Sequence, residues 1–249
     1  MTNSSVRFSW GGPLSEDDYA GLDRSWITRD LADQALLRRV TSVEGAELVG
    51  RKDNGSFGGI IFPYVAPGAD YIREYRLRRD SPDIHRDAQG QPKEKNKYLW
   101  PPGRGNVLYC VPGTRAELLD NPTVPVAITE GEKKTIALYR LSWYRLGEAS
   151  DLPRFVPLGL GGVWSFTGTI GKAPGEDGSR RDEKGLIPDL ERVTWARRRV
   201  YIVYDTNVHT NTKVAAARRH LSSKLTERGA QVLWVNLPFA TRGSGDERR

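Results

Sequence analysis

Two short acidic stretches are placed where they could do chemistry. Glu130-Gly131-Glu132-Lys133-Lys134 directly follows the apolar run VPVAIT, and Asp205-Thr206-Asn207 directly follows RRVYIVY. Carboxylates are hard oxygen ligands. Two of them meeting at one edge suit Mg²⁺ or Mn²⁺, with waters and substrate phosphates completing the coordination. An ion so held can offset charge in phosphoryl transfer or orient an attacking hydroxyl. Gly131 permits a tight turn, so that Glu130 can project while a helix starts just beyond. Glu130 and Asp205 lie 75 positions apart, so only the fold can unite them.

The elements that must position these residues are strands alternating with helices. VPVAIT (124–129) reads as a buried strand, EKKTIALYRL as a helix, FVPLGL as a strand and RRVYIVY (198–204) as another. Lys213–Arg228 carries Val214, Ala217, Leu221 and Leu225 on one helical face. Asn211 or Thr212 can cap its start, and Gly229 is placed to end it. QVLWVNLP closes the series as a last strand. Such alternation predicts a parallel sheet flanked by helices. In open sheets of this kind ligands sit outside the carboxyl ends of the strands, where Glu130 and Asp205 fall.

The N-terminal half has a different rhythm. Residues 1–25 are polar and aperiodic and read as a flexible arm; LADQALLRRV predicts a helix over 28–40. GGIIFPYV and VLYCV read as strands, and YIREYRLRR as a half-exposed strand. Residues 80–106 are long, charged and rich in turn formers, which predicts a loop. The division expected is an arm (1–25), a small mixed α+β region (26–120), an α/β domain (121–240, with 167–184 as a polar insert loop) and a tail (241–249).

The 249 residues carry 38 Lys+Arg against 31 Asp+Glu, a net charge of +7, with 7 Trp and 10 Tyr. That balance leans toward a polyanionic partner, because Lys and Arg gain affinity by displacing phosphate counterions. A single cysteine, Cys110, excludes a disulfide framework and a thiolate zinc site. No apolar run reaches the ~20 residues of a membrane span, and the start MTNSSVRFSW lacks a signal peptide's apolar stretch. The expectation is a cytoplasmic chain with no membrane partner.

The order strand–EGEKK–helix, LGLGGVW, then strand–DTN–helix–GAQVLWVNLP resembles a Toprim domain, the fold of bacterial primases, topoisomerases and some nucleases. It is most similar to an uncharacterised Toprim-like family of plasmid, phage and other mobile-element proteins, found beside primase and helicase modules. IIFPY, YRLRRDSP and KYLWPPGRGNVLY extend the resemblance to roughly residues 27–240. The resemblance implies a Rossmann-like α/β fold and a Mg²⁺-dependent (or Mn²⁺-dependent), primase-like role in DNA replication. It makes Glu130 the acid/base or metal-binding glutamate and Asp205 the first aspartate of an Asp-x-Asp pair. Asn207 occupies the second aspartate's place, where an amide oxygen is a weak, uncharged ligand. Asp246, in the closing TRGSGDERR, stands where a further acidic element would follow.

Residues 73–104 hold nine Lys/Arg against five acids, interleaved with Tyr75, Tyr98 and Trp100. Cations tracking phosphates between stacking aromatics are a recipe for binding single strands. Arg76, Arg78, Arg79, Lys97, Tyr98 and Trp100, with Lys133 and Lys134 beyond the turn, are the candidate nucleic-acid contacts. The run Arg197-Arg198-Arg199 reads as solvated. Gly159, Gly161 and Gly162 lack the third glycine of a dinucleotide fingerprint, and there is no Walker loop, zinc-ligand spacing or nucleophile elbow. Three functions stay open: a primase-like nucleotidyltransferase on single-stranded DNA or primer-template with a helicase partner, a non-catalytic DNA-binding module, and a nuclease.

Overall fold

The computed structural model describes residues 9–87, 90–147, 150–174 and 179–238. Its first half contains α1 (Glu16–Asp23), α2 (Arg29–Gln34), β1 (Arg38–Val40), α3 (Ser42–Leu48), β2 (Gly59–Val65), β3 (Ile72–Arg79), β4 (Asp83–Arg86), β5 (Pro92–Lys95), β6 (Tyr98–Leu99) and α4 (Glu117–Asp120). The second contains β7 (Val126–Glu130), α5 (Glu132–Trp143), β8 (Val156–Leu160), β9 (Thr167–Pro174), β10 (Arg180–Leu186), α6 (Pro188–Glu191), β11 (Arg199–Val203), a 3₁₀ turn (Thr206–His209), α7 (Thr212–Thr226) and β12 (Gln231–Val235).

The second half is the expected α/β arrangement. Its four-stranded sheet is parallel and runs β12-β11-β7-β8. β7 and β8 are buried on both faces, which is why they read as near-continuous apolar runs, whereas β12 at the edge is half-exposed. The chain moves outward from β7 through α5 to β8. It then returns past β7 to β11 and moves outward the other way through α7 to β12. This reversal puts α5 and α7 in different cores: Ile136 of α5 packs with Tyr64 and Tyr109, whereas Val214, Ala217, Leu221 and Leu225 of α7 pack with Val200 and Ile202. Each buried leucine of that face contributes roughly 1.5–3 kcal/mol. Asn211 caps α7 by accepting from the amides of Lys213 and Val214, and Gly229 (φ 84°) supplies the left-handed turn beyond it.

The first half is built on an antiparallel sheet of order β1-β2-β3-β6. Tyr109 joins the two halves through a single antiparallel bridge to Gly159, with hydrogen bonds of 2.9 and 2.8 Å, so first-half chain runs along the outer edge of β8.

Several expectations are corrected. The arm contains α1, fixed by a capping box between Ser15 and Asp18 and by buried Leu22; residues 1–8 lie outside the described residues. The helix expected over 28–40 stops at Gln34. Leu36 turns left-handed (φ 58°), and Arg38–Val40 pair with β2. Tertiary strand pairing there overrides helical spacing. The insert 167–184 and the loop 80–106 contain the hairpins β9–β10 and β4–β5, whose strands are mostly exposed and so carry no apolar alternation to announce them. VLYCV contributes only the Tyr109 bridge. β3 lies between two strands and buries five of its eight residues, so it is more enclosed than its alternation implied. Arg198 is fully buried, donating to the carbonyls of Leu118, Leu119, Val124 and Thr194.

Candidate functional site

Glu130 is the last residue of β7, and Asp205 comes two residues after the end of β11, its immediate neighbour. The sheet therefore unites the two carboxylates across 75 positions of sequence. They meet where the chain reverses its direction of travel, the place at which helices diverge to opposite faces and leave a crevice. Gly131 adopts φ 82°, ψ 149°, a conformation open essentially only to glycine. Its amide donates to Leu160 at 2.7 Å, and α5 begins at the next residue. One helical turn on, the Lys134 Nζ donates to Glu130 at 3.0 Å and to Asp205 at 2.6 Å.

The two acids differ in electrostatics. Burial raises the Glu130 carboxyl above its ordinary value, although Lys134 draws it back. Burial pushes Asp205 the same way, but the hydrogen bond and charge of Lys134 outweigh it and hold Asp205 below the usual carboxylate range. Paired carboxyls with opposed displacements are suited to different roles, one exchanging a proton and the other staying ionised.

Whether a divalent ion fits is answered by the lysine. Both carboxylates already close on one cation, the Lys134 ammonium, so their oxygens are disposed to share a positive charge. Mg²⁺ commonly uses one or two protein carboxylates with substrate phosphates and waters. Among the described residues no group of three or more His, Cys, Asp or Glu is arranged to hold a metal. Asn207, the expected weak ligand, is exposed on the 3₁₀ turn, where its carbonyl accepts from the amides of Thr210 and Asn211. Asp246 lies outside the described residues.

A hollow of about 230 Å³ opens beside the carboxylates, lined among others by Arg76, Tyr98, Glu130, Glu132, Lys133, Lys134 and Gly161. Glu132 is fully buried. It accepts from the Tyr64 hydroxyl at 2.5 Å and from Arg76 Nη1 at 2.8 Å. Arg76 also lies over the rings of Tyr98 and Trp100. This network fastens β2 and β3 to the first turn of α5. Gly161 leaves room for it, because a Cβ there would crowd the Arg76 guanidinium at 3.2 Å and the Trp100 ring at 3.1 Å.

The basic segment is corrected in this light. Arg73 pairs with Asp189, Arg76 with Glu132, Arg79 with Asp83, Lys97 with Glu94 and Arg104 with Glu74. Arg79 is buried over the Phe57 ring, hydrogen-bonded to Ser56, and is a structural residue with no route to a strand. Arg76, Tyr98 and Trp100 hold the interior network, so their aromatic faces are committed to Arg76. Lys134 is committed to the carboxylates. Lys133 and Arg78 remain, and with Lys97 they are close enough to interact electrostatically.

Sequence reasoning missed the Glu132 network and the part of Arg24, whose charge reaches Lys133 from the end of α1. Glu132 looked like one more acid in a helix's first turn, and its partner Arg76 stands 56 positions upstream. A Gly-Glu step between an apolar strand and helix was the available signal, since a helix's first residue there faces the neighbouring sheet.

Fold and site together define a doubly wound α/β domain with a carboxylate pair at its switch point, joined to an antiparallel-sheet module. The family model "Domain of unknown function (DUF3854)" matches residues 116–246, just over half of the chain, and the chain belongs to that family. The matched stretch holds the whole parallel sheet, Glu130 and Asp205; the antiparallel sheet lies outside it. No curated protein and no solved structure matches the chain. Among the described residues no helix is long and apolar enough to cross a membrane.

Proposed function

We propose that this chain is a Mg²⁺- or Mn²⁺-dependent phosphoryl-transfer module acting on nucleic acid, Toprim-like in fold and nearest the primase branch in chemistry. The observation that carries this reading is the convergence of Glu130 and Asp205 on a single cation at the switch point, with their carboxyl pKa values displaced in opposite directions. A bound divalent ion would supply charge compensation for the phosphates, held by Asp205 and Glu130 with Asn207 nearby. Asp205, kept ionised, anchors positive charge at the sheet edge. Glu130, raised by burial, accepts the proton of an incoming 3′-hydroxyl. Lys134 neutralises the pair at rest, and with a divalent ion held between the two acids its ammonium would be free for the substrate phosphate. Lys133, Arg78 and Lys97 draw the anionic substrate to this edge. A place in a mobile-element replication protein beside a helicase rests on the sequence resemblance alone.

One specific observation favours a second reading. Asn207 brings no charge and Lys134 already satisfies both acids, as a retired site in a DNA-binding module would have it. Thermal shift with Mg²⁺ and Mn²⁺, followed by incubation with labelled single-stranded DNA or primer-template and nucleotides, separates the readings. Metal-dependent stabilisation that disappears in Asp205→Asn, with extended products, supports the primase-like reading; shortened products without nucleotides make the module a nuclease. Glu130→Gln should lower turnover by about 10²–10⁴-fold, the range for a positioned proton acceptor. DNA binding that ignores both metals would overturn catalysis and leave the binding module.

A further inference from the structure

Lys133 is half-buried on the first turn of α5, and the groups that act on it electrostatically are all cations: Arg78 from β3, Lys97 beside β6, and Arg24 after α1. Among the described residues it has no acidic partner and no hydrogen bond. Gathering like charges around a partly desolvated ammonium costs folding energy, and proteins keep such an arrangement where an anion repays it. The surroundings sharpen the contrast. The cations on either side are spent on acids: Arg76 on Glu132, Arg79 on Asp83, Lys134 on Glu130 and Asp205. Lys97 shares its charge with Glu94, and Arg78 reaches the Tyr98 hydroxyl. A continuous track for passing phosphates is therefore missing, and the uncompensated charge is concentrated at one point.

Two further observations point to a ligand. Lys133 lines the same hollow as Glu130 and Tyr98, and the pairing of β3 with β6 sets Arg78 directly beside Tyr98. α5, twelve residues long, starts at Gly131 without any side chain capping its first amides. Anions are stabilised at such a helix start. Glu132, the acid in that turn, is turned away to Arg76 and Tyr64.

We infer that the Lys133 cluster is a subsite for a terminal phosphate, either the polyphosphate of a nucleoside triphosphate or the 5′-phosphate of a strand end. The inference rests on the phosphoryl-transfer reading for its purpose, since it would set a phosphorylated substrate beside Glu130 and Asp205. Its binding chemistry is independent of metal.

The test is therefore made in EDTA, by calorimetric titration of the full chain with tripolyphosphate, ATP, and oligonucleotides carrying either a 5′-phosphate or a 5′-hydroxyl. Tripolyphosphate should bind. Lys133→Gln and Arg78→Gln should each weaken it by about tenfold, the worth of one charge-assisted hydrogen bond. Lys224→Gln, which removes the same charge from the far end of α7, should change it less than twofold. A preference for ATP makes the nucleotide the source; a preference for the 5′-phosphate over the 5′-hydroxyl end makes it the strand. Equal losses in the Lys133 and Lys224 variants, or no binding of tripolyphosphate or ATP and no discrimination between strand ends, would overturn the subsite. Melting curves of each variant exclude unfolding as the cause. Loss of catalysis in the metal-dependent assay, with tripolyphosphate binding intact, would count against the phosphoryl-transfer reading alone.

Discussion

The two four-stranded sheets use charge in opposite ways. In the antiparallel sheet nearly every cation of β3 is consumed inside the molecule: Arg73, Arg76 and Arg79 each close on an acid, and Arg76 and Arg79 are buried doing so. At the carboxyl edge of the parallel sheet, Glu130 and Asp205 stay partly open to solvent, held by a lysine that is itself partly exposed. The contrast is sharpest within Glu-Gly-Glu. Glu130 stands at the open edge, while Glu132, two residues on, is sealed between Tyr64 and Arg76. Identical side chains thus serve assembly in one case and are left available for chemistry in the other, and burial with a permanent partner makes the difference.

Breaking the sealed side should cost most. Arg76→Ala leaves the Glu132 carboxylate buried without its cation, and the expected loss is about 3–5 kcal/mol. In a chain of this size that lowers the melting temperature by roughly 10 °C, readable by calorimetry. A loss below 1 kcal/mol would mean that water reaches Glu132 and that the two acids are less different than their burial indicates. Arg198→Met probes the same principle without an acid. It strands the carbonyls at the end of α4 that Arg198 now satisfies, and urea denaturation should show a loss of roughly 2–3 kcal/mol.

Gly131→Ala acts on the boundary between the two glutamates. No atom lies within 4 Å of the added Cβ, so only the backbone conformation is penalised, by about 1–2 kcal/mol. The expected result is a modest drop in stability with a larger drop in any metal response, because Glu130 is re-aimed while Glu132 stays anchored. The smallest effect concerns Cys110. Its thiol is fully buried beside a cavity of about 130 Å³, and burial pushes its pKa up to about 12. Thiol reagents at pH 8 should leave the folded protein unlabelled over hours and react only after denaturant is added.

The parallel sheet was legible in the sequence because β7 and β8 are buried on both faces, β11 on one, and its helices carry regular apolar spacing; β12, half-exposed at the edge, was legible from its apolar run alone. Glu130 and Asp205 were legible as strand-end residues for the same reason. The strands of the exposed hairpins lack that signal, since neither face of β4, β5, β9 or most of β10 meets a core. Basic residues were the hardest to read. Arg78 and Arg79 are adjacent and chemically alike, yet the pleat sends one toward Lys133 and the other into the interior beside Phe57. Their pairing depends on partners distant in sequence, which composition and spacing do not register.

The Tyr109–Gly159 bridge has a consequence for how such molecules can associate. It runs the protein's own backbone along the outer edge of β8, whereas the outer edge of β12 at the other end of the sheet has no strand beside it among the described residues. A sheet with two bare margins can recruit copies on both sides and extend without limit. With one margin occupied, edge-to-edge pairing through β12 consumes the remaining valence of both molecules at once, so growth by that route terminates at a symmetric pair.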